Sequence, residues 1–324
     1  MTRLVIITHK DLDGIAGAAI YSYCKKLTED QLKIVYIEPG NLLNTLRRYY
    51  KKGRHYVIID IGLNRSTYEE LKEIDLSDVV IEWYDHHVWD DSWVKTLRSK
   101  NIALYLDRST CATGIVARHA CIEQCDSRVD EMADIVCGSD LWRFNRFESS
   151  FLFRYADIEN SDSWRKNVFK TIRNYLEGSI DDLIRYIEDF VTQYMDIELK
   201  VLSMLRSNIA EYDVDGVKVC IYVKERHVPS SSIIGNVMLG SCDIAIIVHE
   251  SFKSISFRSK KCDVRELAKA FNGGGHPRAA GAPFSTSALH KILRNLGLDV
   301  SKYIVNEILR KIEGVDVARL CLEQ

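Results

Sequence analysis

The fold is decided at residues 79–87, Val79-Val80-Ile81-Glu82-Trp83-Tyr84-Asp85-His86-His87, where a largely apolar run ends in one carboxylate and two imidazoles. Two other stretches repeat this arrangement. Residues 4–8 (LVIIT) lead into His9, Asp11 and Asp13, and residues 56–59 (YVII) lead into Asp60. Runs of this kind are typical of buried parallel strands, whose carboxyl ends share one edge of a sheet, where open α/β sheets place their sites. The pattern predicts that these polar side chains meet at that edge.

Strands and helices alternate along the first third of the chain. We predict strands at residues 3–8, 32–37, 56–59, 78–84 and 102–106, and helices at 15–27, 41–51 and 66–73. Ser66 and Glu69 have the spacing of a capping box for the third helix. This β-α-β alternation predicts a doubly wound parallel sheet.

The rest of the chain predicts a second, smaller domain. The pattern is helical from residue 111 to about 176, and residues 181–209 read as one long amphipathic helix. Strands at 217–223, 244–248 and 254–257 then alternate with helices at 228–239 and 264–271. We therefore predict a catalytic domain over 1–175, a helical connector over 176–212, and a smaller α/β domain over 213–324. A plain helix within one domain is the alternative for the connector.

Composition limits the classes of function. The 324 residues have a formal net charge of -2 and are 46% hydrophobic and 28% charged, as in an ordinary globular protein. Proteins that track long nucleic acids usually carry a large basic surface, because neutralising phosphates supplies much of their affinity. A small or short anionic substrate fits this balance better.

The cysteines and the lengths of the apolar runs indicate the cellular compartment. There are nine cysteines, an odd number, and none forms a CxxC pair. We expect reduced thiols. The N-terminus shows no signal-peptide pattern, and no run approaches the ~20 apolar residues of a membrane span. The sequence predicts a cytoplasmic protein that does not bind membranes.

The strand ends carry the residue types of a divalent-metal site. His9, Asp11 and Asp13 alternate along a predicted extended loop, so their side chains can converge. A carboxylate such as Asp85 beside a ligating histidine is the usual supporting arrangement. Imidazoles together with carboxylates suit Mn²⁺ better than Mg²⁺ alone. The alternatives are that Asp13 and Asp60 serve as turn or helix-capping residues.

A second motif lies near the C-terminus, at Gly273-Gly274-Gly275-His276-Pro277-Arg278. Consecutive glycines allow a backbone to bring its N–H groups close to a phosphate. His276 and Arg278 would add donors. The alternative, that Gly273 is only a helix C-cap, explains one glycine of the three.

Taken together, these motifs resemble the DHH phosphoesterase superfamily. His9-x-Asp11-x-Asp13-Gly14, Asp60, Asp85-His86-His87 and Asp140 are similar to its four-motif pattern, and residues 273–281 are similar to the signature of its DHHA1 domain. The resemblance covers nearly the whole chain. Within this superfamily, the chain resembles NrnA-like oligoribonucleases and archaeal-type DHH phosphodiesterases.

The resemblance implies roles for individual residues. Two divalent ions, Mn²⁺ first and Mg²⁺ or Co²⁺ as alternatives, would be held by six residues, with Asp60 as the bridge: His9, Asp11, Asp13, Asp60, His86 and Asp140. His87, next to Asp85, would act as a general acid or orient the scissile phosphate. The substrate would be bound by Arg258, Ser259, Gly273, Gly274, Gly275, His276 and Arg278.

The function implied is hydrolysis of short oligoribonucleotides to mononucleotides by two-metal activation of water. The substrate would be short single-stranded RNA or a small nucleotide, and a homodimer is left open. Three alternatives stay open: a cyclic dinucleotide or pAp phosphoesterase, a RecJ-like single-strand exonuclease, and a nucleotide-binding scaffold subunit of a replication complex without catalysis.

One further stretch has two readings. Trp142-Arg143-Phe144 follows Asp140 closely and could stack a base near the metals, while core packing of the two aromatic rings explains it equally well.

Overall fold

The computed structural model describes residues 4–100, 102–121 and 126–322. The chain divides into two compact units, Met1–Gln193 and Tyr194–Gln324. Within the described ranges no helix is long and apolar enough to cross a membrane. The cytoplasmic location remains a prediction.

The first unit begins with alternating strands and helices and continues with helices alone. Its elements are β1 (Leu4–Thr8), α1 (Leu12–Cys24), β2 (Leu32–Tyr36), α2 (Leu42–Tyr49), β3 (His55–Ile59), α3 (Arg65–Leu71), β4 (Val80–Asp85), α4 (Asp91–Ser99), β5 (Ile102–Leu106), α5 (Ala112–Ala120), α6 (Ser127–Asp140), α7 (Phe147–Ala156), α8 (Asp162–Tyr175) and the start of α9 (Ile180–Asn208). A single 3₁₀ turn, Pro39–Asn41, precedes α2.

The five strands form one parallel sheet in the order β2-β1-β3-β4-β5. One face packs under α1 and α5 and the other under α2, α3 and α4, so both faces are buried. This explains the continuous apolar runs: Val5, Ile6 and Ile7 on β1 are each at most 1% exposed. The prediction of a doubly wound parallel sheet is confirmed.

The second unit contains a mixed six-stranded sheet in the order β10-β11-β9-β8-β7-β6. Its elements after α9 are β6 (Ala210–Val214), β7 (Val217–Val223), α10 (Ser231–Met238), β8 (Ile244–Val248), β9 (Ser254–Ser259), α11 (Arg265–Ala270), β10 (Gly274–Gly275), β11 (Ala279–Pro283), α12 (Ala288–Asn295), α13 (Ser301–Ile312) and α14 (Val317–Leu322). Helices α11 and α13 cover one face, and α10 with the end of α9 covers the other. The smaller α/β domain is confirmed.

Several local predictions differ from the structure. Helix α1 begins at Leu12, three residues early, and Asp11 caps it by accepting from Gly14 N at 3.2 Å. The cap of α3 is Asn64, which accepts from Thr67 N at 2.8 Å, so the capping box at Ser66 is wrong. Strands β6, β10 and β11 were not predicted. Residue 3, placed in the first strand, lies outside the described residues.

The cysteines overturn the expectation of reduced thiols. Eight of them form four disulfides, with Cα–Cα distances from 4.0 to 6.0 Å: Cys24–Cys121, Cys111–Cys137, Cys220–Cys242 and Cys262–Cys321. Cys125 lies outside the described residues. The prediction failed because the partners are 22 to 97 residues apart, so the pairing exists only in the folded chain.

Candidate functional site

The strand register places three polar residues side by side at the carboxyl edge of the first sheet. Thr8 pairs with Ile59, and Ile59 pairs with Tyr84, so the following residues, His9, Asp60 and Asp85, lie next to each other. The strand order reverses between β1 and β3, which is the point where doubly wound sheets open a crevice for ligands.

Asp60 lies at the centre of this cluster. Its Oδ2 is 3.3 Å from His9 Nδ1, and its Oδ1 is 3.4 Å from His86 Nε2. Each carboxylate oxygen therefore faces a different histidine. The residue is 3% exposed and has a φ of 56°, a left-handed conformation that is uncommon outside glycine. Such conformations concentrate at functional sites, where the surrounding structure holds them.

Two groups of donor atoms flank Asp60. On one side, His9 Nδ1 is 2.8 Å from Asp11 Oδ2. On the other, His86 Nε2 is 4.0 Å from Asp13 Oδ2 and 3.7 Å from Asp140 Oδ2. Asp140, the last residue of α6, lies on this side. The structure thus brings together all six residues that the resemblance assigned to metal binding.

Asp13 is held in place by a helix distant in sequence. Its two carboxylate oxygens accept hydrogen bonds from Ala112 N at 2.8 Å and Thr113 N at 2.7 Å, in the first turn of α5. The positive end of the helix dipole favours a carboxylate there. Asp13 lies in the first turn of α1, where Gly14 is required because a Cβ there would come within 2.7 Å of His9 O.

The charged groups in the cluster shift one another's pKa values. Burial and the nearby charge of Asp60 raise the pKa of Asp13 to about 7, and burial with the charge of Asp13 raises the pKa of Asp140. Burial alone would raise the pKa of Asp60, but hydrogen bonds from His86 and His9 outweigh it and hold that pKa below its usual range. Crowded, partly buried carboxylates of this kind attract cations.

The donor set fits divalent cations. Two sets of three residues each bring one possible ligand atom per residue, Nδ1, Nε2 or a carboxylate oxygen, to within 4.8 Å of one another. The sets share no ligand atom and consist of His9, Asp11 and Asp60, and of Asp13, His86 and Asp140. Mixed imidazole and carboxylate ligands suit Mn²⁺ and similar ions. With its second oxygen, Asp60 can join the two sets.

Asp85 and His87 form a pair that adjoins this cluster, and His87 Nδ1 is 3.9 Å from Asp60 Oδ1, so His87 also forms a possible metal-binding group with Asp60 and His86. Asp85 is fully buried, and its Oδ1 lies 2.8 Å from His87 Nδ1. Its Oδ2 accepts from Trp89 Nε1 at 2.7 Å. Burial lowers the pKa of His87, but the charge of Asp85 outweighs it and raises that pKa. Asp85 therefore orients the imidazole and favours its protonated form.

Two residues next to His9 were missed by the sequence analysis. Glu38 Oε2 lies 3.5 Å from His9 Nε2, and hydrogen bonding from His9 lowers the pKa of Glu38 to about 2. Glu38 follows β2 closely, so the strand-end signal used for Asp60 could have found it. Arg165 is buried in α8 and donates from Nε to Lys10 O at 3.1 Å, which holds the loop between His9 and Asp11. No sequence signal marks Arg165.

In the second unit, Arg258 is a half-buried cation. Its guanidinium donates to Phe257 O at 3.0 Å, Ala280 O at 3.4 Å and Ser232 Oγ at 3.3 Å. Among the described residues it has no carboxylate partner. Burial lowers its pKa to about 10, which leaves it charged at neutral pH. A half-buried charge with no carboxylate partner among the described residues, beside the first turn of α10, suits an anionic group of a ligand.

The glycine motif forms a hairpin rather than an open loop. Gly274 and Gly275 are β10 and pair with Gly281 and Ala280 of β11. Gly275 has a φ of 141°, and a Cβ there would lie 2.7 Å from Ala280 Cα, so only glycine fits. The turn consists of His276, Pro277 and Arg278, with His276 N donating to Ala279 O at 2.8 Å.

The predicted substrate-binding residues lie on β9, on or just before β10, and in the hairpin turn, and β11 lies between these two strands. Ala279, the first residue of β11, pairs with Arg258 on β9. Gly273 comes just before β10, where a Cβ would lie 2.2 Å from Gly281 O. Ser259 is buried, and its hydroxyl donates to Asp243 O at 2.7 Å while accepting from Cys262 N at 2.9 Å. Binding of substrate by these residues remains a prediction.

His249, near Arg258, gives this unit a testable pH dependence. Burial lowers its pKa to about 4, with a further contribution from Lys224, whereas an unfolded histidine titrates near 6.5. Between these values only the unfolded state binds the proton, so acidification should favour unfolding. We expect wild type to lose up to about 3 kcal/mol of unfolding free energy relative to His249→Gln between pH 7 and pH 4.

Urea unfolding followed by far-UV circular dichroism at pH 7, 5.5 and 4 measures this difference. Tryptophan fluorescence is an internal reference, because all five tryptophans lie in the first unit. The control is His119→Gln, which removes an exposed histidine from α5. Parallel pH profiles for wild type and His249→Gln would contradict the prediction.

Comparison with known proteins identifies one domain. The model of the DHHA1 domain matches residues 229–302, which include Arg258 and the glycine hairpin. This match agrees with the resemblance of residues 273–281 to the DHHA1 signature. No curated protein matches this chain in sequence.

Solved structures with the same fold extend over nearly the whole chain. The DHH domain of a member of a family of ribosomal proteins is 15% identical, with a TM-score of 0.62, covering 96% of this chain and 86% of that one. RecJ from Thermus thermophilus in complex with Mn²⁺ is 15% identical, with a TM-score of 0.60, covering 98% and 52%. The pGpG-specific phosphodiesterase PggH from Vibrio cholerae is 15% identical, with a TM-score of 0.55, covering 95% and 99%.

Proposed function

We propose that this protein is a divalent-metal-dependent phosphodiesterase that hydrolyses short oligoribonucleotides to mononucleotides. The observation that carries the proposal is the position of Asp60, which presents one oxygen to His9 at 3.3 Å and the other to His86 at 3.4 Å. A scaffold without catalysis has no need of a strained, buried carboxylate between two sets of ligand atoms.

The metal-binding residues of this proposal are the six grouped around Asp60. His9 and Asp11 would hold one ion, and Asp13, His86 and Asp140 the other. Two such ions, when bound, lower the pKa of a shared water and neutralise charge on the phosphoryl oxygens. No side-chain nucleophile is needed. Asp13 stays oriented because the α5 backbone donates to both its oxygens.

His87 would act as the general acid that protonates the leaving group. Its Nδ1 faces Asp85 at 2.8 Å, so the proton available to a substrate is the one on Nε2. Asp85 favours the imidazolium form and fixes the ring, and its second oxygen is anchored by Trp89. In this proposal Nε2 gives its proton to the departing oxygen of the phosphodiester.

Three observations support a short nucleotide substrate. The net charge of -2 speaks against tracking of long nucleic acids. Arg258 is a half-buried cation in the segment that matches the DHHA1 domain, suited to a single phosphate. The similar fold of PggH, named as specific for pGpG, covers 99% of that chain. A RecJ-like exonuclease is the second candidate.

Hydrolysis of labelled RNAs of graded length tests the proposal. We expect Mn²⁺-dependent cleavage of RNAs of two to about five nucleotides to be at least about tenfold more efficient than that of a 20-mer, because the phosphate contacts are few and local. The same assay includes pAp and a cyclic dinucleotide.

Each outcome of that assay separates one alternative. A preference for the 20-mer would overturn the short-substrate proposal in favour of the exonuclease. A preference for the cyclic dinucleotide or for pAp would replace the substrate. No turnover of any substrate with Mn²⁺, Mg²⁺ or Co²⁺ would overturn the enzyme proposal and favour a binding subunit.

A further inference from the structure

A rigid turn follows Asp140 and presents an aromatic ring. Trp142 and Phe144 have φ values of 57° and 43°, which are rare for bulky residues. The backbone N–H groups of Arg143 and Phe144 both donate to Gly138 O at 2.8 Å, and Trp142 N donates to Ser139 O at 3.1 Å. These bonds anchor the turn to the last turn of α6.

The indole of Trp142 is fixed and still exposed. Its ring centroid lies 4.9 Å from that of Phe144 and 6.0 Å from that of Phe153, with interplanar angles of 79° and 84°. Phe144 and Phe153 are themselves nearly perpendicular, 6.0 Å apart. Edge-to-face contacts of this kind hold a ring in one orientation. Yet 39% of the Trp142 surface remains exposed, which core packing alone does not explain.

The turn lies beside the candidate metal centre. Asp140, whose Oδ2 is 3.7 Å from His86 Nε2, is two residues before Trp142. Two residues span at most about 7 Å of backbone. Next to Trp142, Arg143 is exposed and forms no ion pair with any described residue. An exposed indole and an exposed cation thus belong to a turn that starts directly after a residue of the candidate metal centre.

We propose that Trp142, assisted by Arg143, stacks on a nucleobase of the substrate. This inference rests on the proposed phosphodiesterase function and adds a recognition element for the nucleoside. Every base has a π-face, so stacking would give affinity with little sequence preference. The strained turn is then explained, because it holds the indole rigidly beside the reacting phosphate.

Abasic substrates provide the test. We expect Trp142→Ala to raise KM for a ribodinucleotide about 5- to 100-fold, with a smaller change in kcat, and Trp142→Phe to recover most of the loss. For dinucleotides in which the stacked base is replaced by a tetrahydrofuran abasic residue, wild type and Trp142→Ala should have similar KM values. The control is Tyr50→Ala. Tyr50 is an exposed aromatic residue at the end of α2, shortly before β3 begins at the edge of the sheet opposite the candidate site.

The outcomes distinguish this inference from the proposed function. An unchanged KM of Trp142→Ala, with active wild type, would overturn stacking alone. Equal losses on the normal and abasic dinucleotides would indicate a structural role and also overturn stacking. If wild type hydrolyses no diester, the proposed function fails. The binding of a fluorescent dinucleotide in the presence of Mn²⁺, weakened or not by Trp142→Ala, then decides the stacking.

Discussion

Replacing Asp60 with asparagine is expected to lower kcat for phosphodiester hydrolysis by a factor on the order of 1,000, since metal-assisted charge stabilisation contributes several kcal/mol. Asparagine keeps the shape and tolerates the left-handed backbone that Asp60 adopts at a φ of 56°. It removes the negative charge that faces His9 and His86. The fold should therefore persist while cation binding fails.

Two measurements check this prediction independently. Steady-state kinetics gives kcat, and isothermal titration with Mn²⁺ gives the number of ions bound, which should fall below that of wild type. The control is Asp91→Asn, which changes an exposed aspartate in the first turn of α4. A kcat within tenfold of wild type, with unchanged Mn²⁺ stoichiometry, would remove Asp60 from the centre of the site.

The second large effect concerns stability. Replacing Cys24 and Cys121 together with alanine is expected to lower the free energy of unfolding by about 2–4 kcal/mol, or the melting temperature of the first unit by roughly 5–15 °C. This disulfide joins partners 97 residues apart and connects the end of α1 to the end of α5. Without the link the unfolded chain gains freedom, which favours unfolding.

Thermal unfolding of the double variant, followed by tryptophan fluorescence, measures this effect. Cys125→Ala is the control, because the other eight cysteines pair with one another. Alkylation in denaturant without a reductant counts the free thiols by mass, and one is expected. Nine alkylated cysteines in protein purified without a reductant would contradict the four disulfides.

A comparison of Asp60 with Asp13 shows how much of the site a local sequence pattern can predict. Asp60 was predictable because it follows a strand whose continuous apolar run requires burial on both faces. The same rule places His9 and Asp85 on the same edge. Asp13 was also assigned to the site, but on the wrong local grounds: it lies in a helix, and it is the first turn of α5, about 100 residues later, that orients it.

The glycine motif shows the limit of reading a loop from composition. Three glycines suggested a flexible phosphate cradle, but Gly274 and Gly275 pair with β11 as a short edge strand. Glycines carry no side-chain pattern, so a period of two cannot be seen in them. The same absence of pattern hid β10 and β11. The buried partners of Arg258 likewise depend on α10 and β11 meeting in space.

By itself, the sequence determined the parallel sheet, the smaller α/β domain, and the set of histidines and aspartates at the strand ends, because strand periodicity and strand-end position are local properties of the chain. Only the tertiary structure decided which atoms face each other. It decided the directions of the two Asp60 oxygens, the proximity of Glu38 to His9, and the four disulfides. Each of these contacts joins residues from different elements. Such contacts depend on packing between distant segments, and no spacing along the chain encodes them.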